Sequence, residues 1–334
     1  MASPVILCIA CGRRMEMAVP EIWDDRYGHP GTFSVLGCPR CGQLVTVPPM
    51  TEAELPELYS RYYPRRDIDL LALSQEAARV TAPIAALKRW WDGTDNQGHY
   101  LAKPGQLVLD IGSGSCLSLI ELRNIGVEAW GVETDPNVRA IADHFDLRVH
   151  IGSIHDEPFP SMKFGLITLS QVIEHIPDPK AMLRAIHARL EDGGTAILSF
   201  PNAASIYRRI FGIRWLNWHI PFHLHFYNLK SFRLIAEAEG FDLVSSRSIT
   251  PNLWTALQLR GLRRPARGIA TSTWGAVSGN RENALGPLAP SILSRLARRL
   301  LRLVLPAIAV VNRLVDATGA GDSLMVVLRK GQPR

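Results

Sequence analysis

At 334 residues, 47% hydrophobic and 20% charged, the chain is long enough for one sizeable core plus an accessory module, and too apolar for a disordered tail. Its formal net charge of +6 is unevenly placed: residues 251–320 hold ten arginines, no lysine and two acids (Glu282, Asp316), which leaves the remainder slightly acidic. That distribution excludes a general affinity for nucleic acid as the meaning of the charge.

The opening MASPVILCIACGRR has neither the leading positive charge nor the long apolar run of a secretory signal. Its cysteines belong to a pattern, Cys8-x-x-Cys11 and Cys38-x-x-Cys41, each pair followed by glycine. Doubled CxxC spacing without a signal peptide reads as metal binding in a reducing cytoplasm. Residues 1–50 are expected to be a zinc-ribbon module with Cys8, Cys11, Cys38 and Cys41 as four tetrahedral ligands. Four thiolates leave no open position for catalysis, so the zinc is structural.

Residues 51–101 read as a helical lead-in. Thr51 and Glu54 are spaced as a capping box before TEAELPELYSRYYP, and Leu71–Trp91 forms a second helical stretch. From 102 to 250 strand and helix patterns alternate. Strands are expected at Leu107–Ile111, Glu128–Val132, Arg148–Ile151, Phe164–Leu169, Thr195–Phe200 and Phe241–Ser246. Helices are expected at Leu117–Asn124, Pro136–His144, Lys180–Leu190 and Leu229–Glu239. The alternation implies a doubly wound, mostly parallel α/β sheet. Residues 251–320 form an arginine-rich helical insertion where such a core needs only a short link, and residues 321–331 supply a seventh strand.

The first core strand ends in Asp110-Ile111-Gly112-Ser113-Gly114-Ser115-Cys116, and the second in Gly131-Val132-Glu133. A dinucleotide fingerprint would want glycine where Leu117 stands. With the acid ahead of the glycines, this arrangement resembles the class I S-adenosylmethionine-dependent methyltransferases. Phe164-Gly-Leu-Ile-Thr-Leu-Ser-Gln-Val-Ile-Glu-His-Ile-Pro-Asp-Pro179 and Leu190-Glu-Asp-Gly-Gly-Thr-Ala-Ile-Leu-Ser-Phe-Pro-Asn202 resemble the family's fourth and fifth strands with their turns. The resemblance implies that Asp110, Gly112 and Gly114 hold the methionine part of the cofactor and that Glu133 binds the ribose hydroxyls. It also sets Ser153 and Ile154 beside the adenine, with Ser170 and Gln171 at the end of the fourth strand. Cys116 replaces the usual third glycine, and Ser153 stands where many members have an acid.

Trp215–Asn228 carries three histidines and five aromatics, and resembles the loop of a methyltransferase branch of bacterial polysaccharide and natural-product pathways. Several members of that branch also carry a cysteine-rich N-terminal knuckle and a tyrosine-rich stretch like Leu58–Pro64. In a loop above the sheet this segment could line an acceptor pocket, and His223, then His225 and His175, are the candidate general bases. The acceptor class is a small molecule, a sugar or a lipid-linked glycan.

In the insertion, arginines 295, 298, 299 and 302 share one helical face among leucines. Residues 291–315 therefore suit peripheral contact with an anionic membrane at its inner face, an ordinary core-packed helix being the alternative. Pro306 is expected to kink or end this helix. Two other functions compete: an RNA methyltransferase, against which stands the absence of stacking aromatics among the arginines, and a non-catalytic binding module on the same fold.

Overall fold

The computed structural model describes residues 5–63, 68–261, 267–269 and 292–331, with side chains undescribed for 292–303. The chain divides into two units. One gathers residues 68–200, 229–247 and 323–334. The other gathers residues 1–67, 201–228 and 248–322, three stretches far apart in sequence.

The first unit is built on a seven-stranded sheet. Its strands are β4 (Leu107–Ile111), β5 (Glu128–Glu133), β6 (Arg148–Ile151), β7 (Phe164–Ser170), β8 (Leu190–Pro201), β10 (Phe241–Ile249) and β11 (Ser323–Lys330). They lie in the order β10-β11-β8-β7-β4-β5-β6, and β4 pairs in parallel with both β5 and β7. Val108, Leu109, Ile167 and Leu169 are fully buried, as strands covered on both faces require. The helices α4 (Leu117–Asn124), α5 (Val138–His144), α6 (Pro179–Arg189) and α8 (Leu229–Ala238) alternate with them. This is the Rossmann-like, mostly parallel seven-stranded fold expected from the alternation. Chain order reverses between β4 and β7, so the crevice at their carboxyl ends is the switch point where such sheets bind ligands.

The lead-in differs from a single long helix. Leu71–Trp91 is divided into α2 (Leu70–Ala78) and α3 (Ala85–Asp92), because Pro83 cannot continue the hydrogen-bond ladder. Beyond them, Gly98 lies where a Cβ would come within 2.9 Å of Ile197 and Thr168, and His99 Nε2 meets Glu121 at 2.6 Å. Both His99 and Glu121 are buried.

The second unit holds a four-stranded sheet, β1 (Glu16–Trp23), β2 (Thr32–Gly37), β3 (Leu44–Val47) and β9 (His225–Phe226), in that order. The last of these comes from the histidine-rich segment. Leu44 pairs with Phe226 and Val45 with His225, so the segment expected as a free loop is an edge of the cysteine module's own sheet. The unit also contains α1 (Leu55–Tyr62), α7 (Ile206–Phe211), α9 (Asn252–Arg260) and α10 (Ile292–Ala317). Helix α10 runs through Pro306 instead of stopping there. Its C-terminal half is anchored by the buried Asn312, which receives hydrogen bonds from Tyr207 and Thr255 and donates one to Asn252. The expectation for Arg295, Arg298, Arg299 and Arg302 falls on side chains outside the described residues.

Candidate active site

The glycine loop after β4 has the strain its residues were chosen to bear. Gly112 (φ +75°) and Gly114 (φ +52°) are left-handed, and a Cβ on Gly112 would collide with Val172. Around Gly114 no atom lies within 4 Å of the Cβ position, so that side of the loop is open for close approach of a ligand. Cys116 is also left-handed (φ +60°), which is why glycine would suit this position; the thiol is buried and its pKa is pushed up to about 12, chiefly by burial and then by Asp110 and Glu133.

Asp110 is buried with both oxygens engaged, accepting from Thr168 Oγ1 at 2.6 Å and from Ser118. Burial pushes its carboxyl up, and the two hydroxyls pull against that. It braces β4 against β7 and α4. Glu133 is half-exposed; Gly114 N–H donates to its Oε2 at 2.7 Å, and Thr134 and Asp135 N–H donate to Oε1. The acid at the end of β5 is thus aimed at the glycine loop by backbone donors. Ser153 is occupied as a cap, with Oγ accepting from His155 N–H at 3.1 Å, and Asp156 closes the box by accepting from Ser153 N–H. The acidic side chain at that corner is Asp156, which the sequence reading passed over. Ile154 is buried.

The turn after β7 forms the facing wall of the switch-point crevice. Gln171 is left-handed (φ +58°) and held there by its N–H to Ser199 O (2.8 Å) and by its amide toward Ser199 and Ser323 (3.3 Å each). Val172 then packs on Gly112. Two residues on stands Glu174, 1% exposed, with no hydrogen-bond partner at either carboxylate oxygen among the described residues. Burial pushes its pKa up to about 8. His175, half-buried, offers a nitrogen within 4.8 Å of that carboxyl. Sequence reasoning singled out His175 and missed Glu174; the signal available was an acid inside the apolar turn Val-Ile-Glu-His-Ile.

In the second unit the histidine segment is pinned by a buried acid, Asp322. Trp215 Nε1 donates to its Oδ1 at 2.7 Å and Asn217 Nδ2 to its Oδ2 at 3.0 Å. The Asn217 carbonyl in turn accepts from His223 Nδ1 at 2.8 Å, which fixes the tautomer and leaves Nε2 as the basic nitrogen. His219 Nδ1 stands 3.4 Å from that Nε2. Thr46 of β3 binds this segment twice, Oγ1 to His223 O and N–H to Leu224 O. His223 and His225 are both buried, and the His225 ring stacks on Tyr227. Tyr27, Tyr59 and Tyr63 each place a ring 5.4–5.5 Å from Phe222, so the tyrosine-rich stretch and the histidine segment form one aromatic cluster.

The four cysteines converge. Cys8 and Cys41 sulfurs are 3.5 Å apart and Cys11 and Cys38 sulfurs 3.4 Å, and all four lie within 4.8 Å of one another as free thiols. Tetrahedral ligands at a zinc–sulfur distance of about 2.3 Å stand roughly 3.8 Å apart, so the donor set fits zinc. The two knuckles have the same build: Gly12 N–H binds Cys8 O, and Gly42 N–H binds Cys38 O.

Residues 83–246 match the model of a methyltransferase domain. A ubiquinone biosynthesis O-methyltransferase of Xanthomonas campestris pv. campestris (strain B100) is 27% identical over 166 residues, 43% of this chain and 70% of that protein. Its counterpart in Xanthomonas oryzae pv. oryzae (strain PXO99A) is 25% identical over 184 residues, 48% of this chain and 77% of the other. A solved Haloferax volcanii complex between the methyltransferase activator Trm112 and a methyltransferase aligns over 78% of this chain and 98% of the other at 18% identity and a TM-score of 0.45. With the domain match, the methyltransferase relatives and the glycine loop in agreement, residues 83–246 form an S-adenosylmethionine-dependent methyltransferase domain.

Proposed function

We propose that the chain methylates a hydroxyl of a small-molecule acceptor, with His223 taking the proton and a structural zinc on Cys8, Cys11, Cys38 and Cys41 holding the histidine segment in register. The observation that carries this reading is the chain of contacts Asp322–Asn217–His223, which delivers a buried imidazole in one tautomer with Nε2 as base. The cofactor supplies an electrophilic methyl group on a sulfonium. Gly112 and Gly114 let the backbone approach it, and Glu133 has the acceptor geometry for a vicinal diol. Asp110 acts behind them by bracing the loop. Ser153, Ile154, Ser170 and Gln171 shape the crevice edge.

The named relatives act in ubiquinone biosynthesis, which favours oxygen as the methylated atom and an acceptor with an aromatic ring. The cluster of Tyr27, Tyr59, Tyr63 and Phe222 suits such a ring. A sugar or lipid-linked glycan is the alternative acceptor. The test uses a polyprenylated phenol and a lipid-linked sugar as acceptor probes. His223→Ala is expected to keep cofactor affinity and lower turnover about 10²-fold or more, the scale of losing a general base. Unchanged turnover would return His223 to packing and pass the role to His225 or His175.

A second reading concerns location. No helix among the described residues is long and apolar enough to cross a membrane. Yet Val304, Val310, Val311 and Leu314 of α10 are exposed, alongside Ile210 of α7 and Leu253 of α9. Apolar residues in water on a helix that also carries the arginine stripe favour peripheral binding to an anionic membrane through residues 291–315. Replacing Arg295, Arg298, Arg299 and Arg302 with glutamine should release the protein from anionic vesicles in a sedimentation assay. Wild-type protein that stays in the supernatant at low salt would make the segment a packing element.

A further inference from the structure

The glycine loop is bracketed by two buried acids, and one basic side chain is placed to serve both. Asp110 precedes the loop at the end of β4, its oxygens accepting from Thr168 and Ser118. Glu121 follows the loop on α4, three residues after Ser118 and so on the same helical face. A buried carboxylate is costly unless a counter-charge stands close. Glu121 accepts from Tyr100 Oη at 3.4 Å and meets His99 Nε2 at 2.6 Å, the spacing of a charge-assisted hydrogen bond. Tyr100 brings no charge, because burial and then Glu121 push its phenol up. Among the described residues the imidazole is therefore the cation in contact with Glu121. Its charge reaches Asp110 as well: burial opposes ionisation of that carboxyl, and the two hydroxyls and then His99 favour it.

The ring is delivered by the lead-in and not by the sheet. Gly98–Leu101 is a short 3₁₀ helix, and at Gly98 a Cβ would come within 2.9 Å of Thr168 and Ile197. Consecutive lead-in residues thus reach both elements that hold Asp110, Gly98 meeting Thr168 of β7 and His99 meeting Glu121 of α4. Only glycine allows that approach, so the backbone fixes where the ring stands. An aliphatic side chain could fill the same space; what the imidazole adds is a positive charge that it can lose.

We infer that His99 is a positioning residue of the cofactor crevice, its protonated ring holding β4 and α4 in register on either side of the glycine loop. The inference rests on the cofactor assignment and adds to it a control of cofactor affinity by a side chain that acts through Glu121 and Asp110. When the ring gives its proton to solvent it can still donate one hydrogen bond, but two buried carboxylates lose their counter-charge and the loop between them loses its fixed geometry. The groups facing the ring are Glu121 of α4, Asp110 of β4 and Tyr100 of the lead-in. Arg89 lies over the Tyr100 ring, while Glu76 and Glu133 act one step further out, on Tyr100 and Asp110.

The test is calorimetric titration of the full-length, metal-replete protein with S-adenosylhomocysteine across pH, beside nitrogen NMR of histidine-labelled protein. Wild-type affinity is expected to fall as pH rises, in step with the deprotonation of one imidazole. His99→Gln should bind about tenfold more weakly at pH 6, an ordinary size for coupling between sites, and should lack that part of the fall. Titration of the ligand's own amino group survives in this variant and is thereby subtracted. Glu121→Gln should move both the imidazole signal and the fall in affinity to lower pH by about one unit or more. The double variant His99→Gln/Glu121→Gln replaces the ion pair by a neutral hydrogen-bonded pair. It should melt above His99→Gln without regaining wild-type affinity; recovery of both would make the pair merely structural and overturn the inference. A His99→Gln protein with wild-type affinity and pH profile overturns it too. If that variant does not fold, Glu121→Gln decides: a fall in affinity that moves with the imidazole signal supports the inference, and one that stays in place overturns it. Failure of wild-type protein to bind S-adenosylhomocysteine or S-adenosylmethionine at any pH would instead strike the cofactor assignment.

Discussion

The histidine segment is pinned by one buried acid and the turn after β7 contains another, and the two acids are treated in opposite ways. Asp322 receives an indole N–H and an amide N–H, and through Asn217 its order is passed to the His223 ring. Glu174 has no side-chain donor among the described residues, and only its own backbone N–H pulls against its burial. Burial raises both, to about 6 and about 8, and the smaller rise belongs to the acid whose charged form has donors. A satisfied carboxylate is an anchor, because its partners fix it at all times. An unsatisfied one is a receiver of protons, because protonation spares it the cost of a bare buried charge. One region is therefore built to stay in place and the other to respond, and experiments can break that contrast at either end.

The largest expected effect comes from taking the metal out of the anchored region. Cys38→Ser should abolish the single zinc expected per chain, and with it a binding free energy that in zinc-folded peptides is about 10–16 kcal/mol. Because β3 pairs with β9, the damage should reach His225 and Phe226. Hydrogen exchange would show it as lost protection in β1, β2, β3 and β9, with β4 and β5 unchanged. Normal zinc content by elemental analysis in the variant would remove the metal from this account.

Next comes the anchor itself. Asp322→Asn sets an amide NH₂ against the Asn217 NH₂, leaving buried donors unpaired at about 1–3 kcal/mol. Adding Asn217→Asp reverses the polarity of the same contact and keeps Trp215 Nε1 on an acceptor. Urea denaturation should show at least half of the loss recovered in the double variant, and the His223 ring nitrogen shifts should return with it. A double variant no better than the single one would mean that this contact does not pin the histidine segment.

The two regions also differ in how much of them the sequence disclosed. The β4–α4 boundaries and β6 follow directly from sequence, because strands buried on both faces are continuous apolar runs and the glycine loop marks where the first one stops. The cysteine cluster is equally legible, since CxxC spacing is a local property. The joining of the histidine segment to the cysteine module was not, because two residues of β9 pair with a strand some 180 positions earlier. A contact of that range leaves no periodicity to read. Asp322 was invisible for the same reason: only the fold brings it to Trp215 and Asn217. Glu174 was visible as a residue but not as an orphan, because whether a buried acid has partners depends on three-dimensional neighbours. Helix α10 continuing through Pro306 shows packing around Asn312 overriding a local breaker.

The last effect expected is on the pH dependence of stability, and it tests the receiver without any ligand. An acid whose folded pKa lies at about 8, against an unfolded value near 4.5, holds its proton in the folded state over a range where the unfolded chain has lost it. Its contribution to stability is therefore fully present below the unfolded value and is lost as pH rises toward the folded one. Glutamine at the same place is neutral throughout and nearly isosteric. Glu174→Gln should then match wild type in Tm near pH 4.5 and exceed it increasingly up to about pH 8, where the gap levels off. Replacing Asp322 by asparagine should show a smaller relative rise that is complete by about pH 6, set against a constant loss because the asparagine lacks one acceptor. Calorimetric scans of the two variants and wild type across this range give the answer. A Glu174→Gln curve parallel to wild type would mean that the carboxyl ionises freely in the folded protein, and the contrast between anchor and receiver would collapse.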